Sequence, residues 1–157
     1  MTPAILAARK AGFPFQVHEY HHDPASGSYG LEAAEALRLD PARVFKTLLV
    51  TLDGDAKRMA VGIVPVTHLL DVKALAKAVG AKKAEMADPK QAERVTGYVV
   101  GGISPLGQKR RLPTALDESA LGFPTIFVSA GRRGLEIELC PSHLLQLCQA
   151  DAVALCR

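Results

Sequence analysis

The chain has 157 residues, a formal net charge of +3, 48% hydrophobic residues and 22% charged residues. This composition is typical of a folded globular protein and excludes a largely disordered chain, a collagen and a disulfide scaffold. The length predicts one domain over residues 1–157, large enough to bury a core without a disulfide or a structural metal. No uncharged apolar run reaches the roughly 18 residues of a transmembrane helix, so we expect no membrane partner. The mild positive charge permits a polyanionic partner without requiring one.

The cysteines and the first residues indicate a compartment. Cys140, Cys148 and Cys156 are confined to the C-terminal end. Their odd number and the lack of a CxxC pair predict free thiols in a reducing environment. At the other end, an apolar run precedes the first charges, Arg9 and Lys10, which is the reverse of the order in a secretory signal. We therefore expect a cytoplasmic protein.

Local signals predict helices and strands along the first half of the chain. Thr2 and Pro3 are suited to begin a helix, which Gly12 would end. The other elements predicted in this half are a strand at 15–21, a loop at 22–28, a helix at 31–39, a helical turn at 40–41 and strands at 44–52 and 58–64. Asp53-Gly54, between the last two strands, is a hairpin signal.

The second half of the chain also contains signals for both helices and strands. Asp71 and Asp88 precede predicted helices, the first ended by Gly80 and the second by about Val95. The remaining predicted elements are strands at 98–103, 112–116, 125–129, 135–139 and 152–155, a loop at 104–111 and a last helix from 141. Two hairpins exclude a purely parallel sheet. The predicted fold class is α+β or mixed α/β.

Lys46 is the most informative residue. It lies in the strand at 44–52, whose two alternating faces are both largely apolar, so this strand is predicted to be central and covered on both sides. An unpaired ammonium group is costly to bury, so Lys46 must extend to water, pair with an acid or face a polar cavity. In a cavity it would meet an anionic ligand or a polarised carbonyl group.

A glycine segment, Gly101 to Pro105, follows one of the predicted strands. Glycine allows backbone N–H groups to approach a ligand closely, and proline stiffens the exit of the segment. The spacing is neither that of a Walker loop nor that of a dinucleotide fingerprint. A bulge or a tight bend is the alternative explanation.

Three histidines in residues 18–23 invite a metal-site interpretation. Strand alternation would put His18 and His22 on one face, where two imidazoles can share a metal. No spacing elsewhere supplies a third ligand, so solvated histidines are favoured and no metal is predicted. The sequence also lacks a GxSxG elbow and any context for a reactive cysteine. It therefore favours a pocket over a protein nucleophile.

Several basic residues could contact a phosphate backbone. Such clusters are usually a solvated surface, but several lie on loops that flank the glycine segment. The candidates are Lys109, Arg110, Arg111, Arg132 and Arg133. Aromatic residues make up only 5% of the chain, which argues against a platform that stacks the bases of a single strand.

Taken together, four segments resemble the YbaK/EbsC family of aminoacyl-tRNA deacylases. They are residues 28–35, 40–50, 97–107 and 125–131. The most specific matches are Val-Phe-Lys-Thr-Leu at 44–48 and Gly-Gly-Ile-Ser-Pro at 101–105. Length and order are most similar to the branch that clears cysteine from Cys-tRNA(Pro). A related domain inserted in prolyl-tRNA synthetases clears alanine.

The resemblance implies a mixed, partly barrel-like sheet surrounded by helices, with a pocket for the aminoacyl-adenosine end of tRNA. Lys46 would be the pocket lysine, which holds the terminal phosphate or ribose as a fixed positive charge. The substrate loop would consist of Gly101, Gly102, Ile103, Ser104 and Pro105. Within it, the N–H groups of Gly101 and Gly102 would stabilise the developing oxyanion.

The resemblance also implies which side chains contact the amino acid. Tyr20, Thr47 and Ser129 would orient it. Tyr29 and Glu136 stand where the family commonly has phenylalanine and aspartate, so they would affect pocket size and the amino-acid preference.

In this branch the substrate's own thiol attacks its ester and releases a thiolactone, so the resemblance implies no protein nucleophile, no metal and no cofactor. The implied partners are tRNA and prolyl-tRNA synthetase. Two alternatives are a deacylase of another small misacylated tRNA, such as Ala-tRNA(Pro), and a module that binds tRNA or a synthetase without chemistry.

Overall fold

The computed structural model describes residues 1–25 and 29–157. Its α-helices are α1 (Pro3–Ala11), α2 (Tyr29–Ala36), α3 (Val72–Ala78), α4 (Pro89–Thr96) and α5 (Pro141–Cys148). Its strands are β1 (Phe15–Glu19), β2 (Phe45–Leu52), β3 (Asp55–Pro65), β4 (Ala84–Met86), β5 (Thr114–Asp117), β6 (Ile126–Arg132), β7 (Leu135–Leu139) and β8 (Asp151–Val153). Short 3-10 helices occupy Pro41–Arg43 and Glu118–Gly122. Each described helix is too short or too polar to cross a membrane.

Side-chain caps determine where several helices begin. The Thr2 hydroxyl oxygen accepts a hydrogen bond from the Ile5 N–H at 3.2 Å at the start of α1. The carboxylates of Asp71 and Asp88 accept equivalent bonds at the starts of α3 and α4. Gly12 ends α1 with a φ of 79°, a left-handed conformation that costs glycine little. These predicted helix boundaries are confirmed.

The strands form two sheets with mixed pairing, which confirms the predicted fold class. The first sheet has the order β1-β7-β6 and is antiparallel. The second has the order β4-β2-β3-β5-β8, in which β5 is parallel to both of its neighbours. A parallel bridge between Val44 and Phe127 joins the two sheets. Neither strand order closes on itself over the described residues, so the expected partly barrel-like sheet is two open sheets.

The hairpin between β2 and β3 forms as predicted. Asp53 and Gly54 take positive φ values of 52° and 72°. A tight two-residue hairpin turn requires this backbone conformation. The antiparallel pairing of β2 and β3 then begins with Leu52 opposite Asp55, shifts register between Thr51 and Leu52, and continues to Phe45 opposite Pro65.

Strand β2 is central and covered on both faces, as expected. Phe45 and Leu49 belong to the largest buried cluster, whereas Val50 and Leu52 belong to a second one. The neighbouring strand β4 pairs with β2 only at Val50–Leu52. The first half of β2 therefore keeps an edge that β4 does not cover, and this edge borders a cavity.

The predicted strand at 98–103 is wrong. Instead, the Gly102 N–H donates to the Val99 carbonyl at 2.8 Å and closes a turn. The Val100 N–H donates to the Glu93 carboxylate at 2.8 Å. A turn bond and a bond to the preceding helix thus replace strand pairing in an apolar run that has the composition of a strand.

The other predicted elements are found, with ends shifted by a few residues. Strand β4 and the second 3-10 helix were not expected from the sequence, because both are too short to give a periodic signal. The predicted loop at 22–28 extends into residues 26–28, which lie outside the described residues.

Candidate active site

A cavity of about 310 Å³ lies where the two sheets, α2, the start of α4 and the turn at 97–103 meet. Eight of the residues predicted to act at the site line it. They are Tyr20, Tyr29, Lys46, Thr47, Gly101, Ile103, Ser129 and Glu136. They come from segments far apart in the sequence, so the fold brings together groups that the sequence could only name one by one.

Lys46 lies in the second position of β2, beside the edge that β4 leaves uncovered. It is partly buried, and this burial lowers the pKa of its ammonium group. In the described part of the chain no carboxylate lies within ion-pair distance of it. A cation held in this way favours an anionic ligand, because such a ligand would supply the missing counter-charge.

Glu136 is the buried acid of the cavity. It lies in β7, opposite Ser129 of β6 and His18 of β1, and is only 6% exposed. Burial raises its pKa to about 8. No side chain in residues 1–25 and 29–157 forms a hydrogen bond or an ion pair with its carboxyl group. The protonated group can donate to an acceptor of the ligand, and a ligand cation would favour its carboxylate form.

Three hydroxyl groups lie near these charges. The Thr47 hydroxyl is buried and has no partner among the described residues. The Ser129 hydroxyl accepts a bond from the Gly131 N–H at 3.2 Å, which leaves its own proton free to donate. The pKa of Tyr20 is raised, first by burial and further by the neighbouring Glu136. Hydroxyl groups in such positions can orient a polar ligand.

The glycine segment divides into two parts. Gly101 and Ile103 line the cavity, and the Gly101 N–H has no partner within the described residues. The Gly102 N–H is instead used inside the turn. Ser104 and Pro105 are buried behind the turn and do not line the cavity. Of the two predicted oxyanion donors, Gly101 is therefore the one that lines the cavity and whose N–H group has no partner among the described residues.

Gly102 has a packing role. A β-carbon at this position would lie 2.8 Å from the backbone of Arg132. Only glycine allows the turn at 97–103 to approach the β6–β7 hairpin so closely. Gly102 thus supports the cavity by letting this turn pack against the β6–β7 hairpin.

The predicted basic residues fall into two groups. Lys109, Arg110, Arg111 and Arg132 are exposed. Arg133 is half-buried, and its guanidinium carbon lies 3.9 Å from the centre of the Tyr29 ring. Only the four exposed residues therefore form a cationic surface that a polyanion could contact.

The histidines of β1 and its continuation are held by acids from other elements. His18 contacts the Glu138 carboxylate at 2.9 Å, and His22 contacts the Glu32 carboxylate at 2.7 Å. Over residues 1–25 and 29–157, no three histidine, cysteine or acidic side chains come close enough to hold a metal ion.

The sequence reasoning missed the part of the wall between β4 and α4. Met86, Ala87, Pro89 and Ala92 line the cavity there. Asp88 and Pro89 signal only that a helix begins. No local pattern indicates that this helix start lies across from β2, because that depends on the short pairing between β2 and β4.

These features define a small mixed α/β protein whose cavity is lined by a partly buried lysine, a buried carboxyl group and a glycine segment. A family model, the aminoacyl-tRNA editing domain, matches residues 25–147. The chain belongs to this family. The match covers most of the chain, including the strand of Lys46 and the glycine segment.

Individual relatives agree with this assignment. A candidate Cys-tRNA(Pro)/Cys-tRNA(Cys) deacylase, EbsC of Enterococcus faecalis, is 46% identical over 148 residues, which is 93% of this chain and 87% of that protein. The crystal structure of a candidate trans-editing enzyme for prolyl-tRNA synthetase is 28% identical, with a TM-score of 0.84 over 99% of this chain and 95% of the other. The hypothetical protein APE2540, at 18% identity, shares the fold with a TM-score of 0.87, over 99% of this chain and 100% of the other.

Proposed function

We propose that this protein is a trans-editing deacylase that removes cysteine from Cys-tRNA(Pro), and also from Cys-tRNA(Cys). The observation that carries the proposal is that the Lys46 ammonium and the Glu136 carboxyl group line one cavity, each without an ionic partner among the described residues. The similarity to EbsC supports the choice of cysteine as the amino acid.

The two charges match the two ends of an aminoacyl-tRNA terminus. The terminal nucleotide carries a phosphate, which Lys46 would bind as a fixed positive charge. The amino acid carries an α-ammonium group, which the Glu136 carboxylate would accept. Thr47 and Ser129 would donate to the oxygens between these ends. A substrate with both charges would thus be bound in a single direction.

The chemical step then needs positioning and one hydrogen-bond donor. The cysteine sulfur attacks the carbonyl carbon of its own ester, so a C–S bond forms and the C–O bond to the ribose breaks. The thiol proton ends on the ribose oxygen, and the cysteine leaves as a thiolactone that water can open. The Gly101 N–H would stabilise the negative charge that develops on the carbonyl oxygen. Holding the thiol next to the ester supplies the rest of the acceleration.

The proposed partners are tRNA and prolyl-tRNA synthetase, and the proposed location is the cytoplasm, where charged tRNA is used. The exposed residues Lys109, Arg110, Arg111 and Arg132 are the candidates for phosphate contacts. The likeness to a trans-editing enzyme for prolyl-tRNA synthetase supports the synthetase as a partner.

A panel of charged tRNAs tests the proposal. We expect cysteine release from Cys-tRNA(Pro) and Cys-tRNA(Cys), with Pro-tRNA(Pro) spared, in assays with and without prolyl-tRNA synthetase. Faster release of alanine from Ala-tRNA(Pro) would instead assign the protein to a different editing reaction. Salt-sensitive tRNA binding without turnover on any substrate would identify a binding module and contradict the proposal.

A further inference from the structure

We propose that Arg133 is a positioning residue that fixes the direction of the Gly101 N–H group at the cavity. This inference rests on the proposed function, in which that N–H group stabilises the oxyanion. Sequence reasoning places Arg133 among the tRNA-contacting cations. Its contacts in the structure point to a different role.

The guanidinium group of Arg133 is engaged on two sides. It lies 3.9 Å from the ring centre of Tyr29, the first residue of α2. One of its terminal nitrogens, Nη2, donates a hydrogen bond of 2.7 Å to the Val100 carbonyl oxygen. Its Nε is buried and has no partner within the described residues. Arg133 thus connects the β6–β7 hairpin to both α2 and the turn at 97–103.

The bond to Val100 acts on the peptide unit that contains the Gly101 N–H. In a planar trans peptide, the carbonyl group of one residue and the N–H group of the next point in opposite directions. A bond that holds the Val100 carbonyl towards Arg133 therefore holds the Gly101 N–H away from it. The positive charge on the donor also makes this bond stronger than a neutral one.

The preceding peptide unit, which joins Val99 to Val100, is restrained as well. The Val100 N–H donates to the Glu93 carboxylate at 2.8 Å, so Val100 is bonded through both its donor and its acceptor. Gly101 itself has a φ of 91°, a conformation that glycine adopts readily and other residues rarely do. Without the bond from Arg133 to the Val100 carbonyl, the peptide between Val100 and Gly101 could rotate and redirect the Gly101 N–H group.

Packing around Gly101 leaves no room for a side chain. A β-carbon there would lie 2.7 Å from Arg133 Nε and 2.5 Å from the Tyr29 ring. Arg133 and Tyr29 therefore occupy the space next to the Gly101 α-carbon. Arg133 does not itself line the cavity, so it is placed to act through Gly101 and not by contact with the substrate.

Two substitutions separate this role from a tRNA contact. Arg133→Met keeps an unbranched stem that reaches about as far as the arginine Nε but removes the charge and the donors, and Arg133→Lys keeps the charge but loses the planar fork. We expect kcat for Cys-tRNA(Pro) to fall about tenfold or more in Arg133→Met and less in Arg133→Lys. KM and its dependence on salt should stay as in the unmodified protein. Lys57→Ala, which removes an exposed cation in β3, is the matched control and should change neither constant.

The Gly101 amide resonance in a ¹H–¹⁵N spectrum gives a readout that does not depend on activity. We expect it to shift in both Arg133 variants and to stay in place in Lys57→Ala. A KM that is higher in Arg133→Met and depends less on salt than in the unmodified protein, at constant kcat, would show that Arg133 contacts tRNA and overturn the proposal. Unchanged kcat with an unshifted Gly101 resonance would also overturn it. If the unmodified protein cleaves no aminoacyl-tRNA, the proposed function fails, while the resonance still decides whether Arg133 orients this peptide.

Discussion

The two walls of the cavity are built in different ways. One wall, called the strand wall, is formed by strands that include β2 and β7. It supplies side chains such as Lys46 and Glu136, whose positions are fixed by the register of these strands. The other wall, called the turn wall, is the turn at 97–103. It supplies a backbone group, the Gly101 N–H, next to Val100, whose N–H donates to Glu93 and whose carbonyl accepts from Arg133. Substitutions in the strand wall should therefore change the chemical groups of the cavity without changing its structure. The turn wall should lose activity when its packing is altered.

Removing the cation of the strand wall should have the largest effect. We expect Lys46→Ala to lower the deacylation rate by about 100-fold or more, because the substrate phosphate loses its counter-charge. Burial of the ammonium group is unfavourable, as its lowered pKa indicates, so the variant should melt at or above the temperature of the unmodified protein. Deacylation assays and thermal melts check both parts. Full activity in Lys46→Ala would refute the role of this lysine.

A methyl group in the turn wall should have the next largest effect. Gly101→Ala introduces a β-carbon 2.5 Å from the Tyr29 ring at a φ of 91°. Gly80→Ala is the matched control, because Gly80 has a φ of 79° but open space around it. Both variants should lose about 1 kcal/mol of stability from the backbone conformation. Only Gly101→Ala should lose more than this and also lower kcat by more than about tenfold. Equal effects of the two substitutions would show that the turn wall is not tightly packed.

The acid of the strand wall should give a pH-dependent effect. The pKa of Glu136 is raised to about 8, so the carboxylate form that accepts the substrate ammonium group becomes more populated as the pH rises towards 8. We expect the ratio of kcat/KM between the unmodified protein and Glu136→Gln to be about tenfold at pH 8 and to fall as the pH is lowered. A ratio that does not change with pH would show that the Glu136 carboxylate does not bind the substrate ammonium group.

The same group makes a prediction about stability. Between its usual pKa of 4.5 and about 8, the folded protein keeps a proton that the unfolded chain releases. The stability that this group contributes is therefore complete below pH 4.5 and is lost as the pH rises towards 8. The loss is at most about 1.4 kcal/mol per pH unit. Urea titrations at several pH values should show this slope in the unmodified protein and not in Glu136→Gln.

The smallest effect is expected at Thr47. Its buried hydroxyl has no partner among the described residues, and an unsatisfied buried group is costly. Thr47→Val should therefore leave stability unchanged or raise it by about 1 kcal/mol, while activity falls a few-fold. Thr51→Val, on the same face of the same strand but outside the cavity, is the control for activity. A loss of stability in Thr47→Val would mean that the hydroxyl is bonded in the free protein.

The strand wall could be predicted from the sequence to a large extent. The apolar alternation of β2 indicates a central strand, so Lys46 stands out as an exception that must extend to water, pair with an acid or face a polar cavity. The β2–β3 hairpin is likewise specified by a local turn signal at Asp53-Gly54. The hydrophobic alternation of a strand and the residues of a turn are local properties of the sequence. They determine the register once the strands pair.

The turn wall could not be predicted in the same way. The run Tyr98–Val100 has the composition of a strand, but the Tyr98 hydroxyl donates to the Leu106 carbonyl and Arg133 bonds to Val100. These bonds join residues that are distant in sequence or lie across a turn. The sequence identifies the glycines as unusual but not which N–H group is free. That distinction depends on the hydrogen bond between Gly102 and Val99.

The central claim is that the cavity positions a substrate that supplies its own nucleophile. The most direct test is the single-turnover rate for Cys-tRNA(Pro) compared with Ser-tRNA(Pro), which differs by one atom and has a much weaker nucleophile. We expect rapid release of cysteine, and we expect Ser-tRNA(Pro) to bind and compete without being cleaved. Comparable cleavage of both substrates would mean that water or a protein group performs the attack, and would contradict the account.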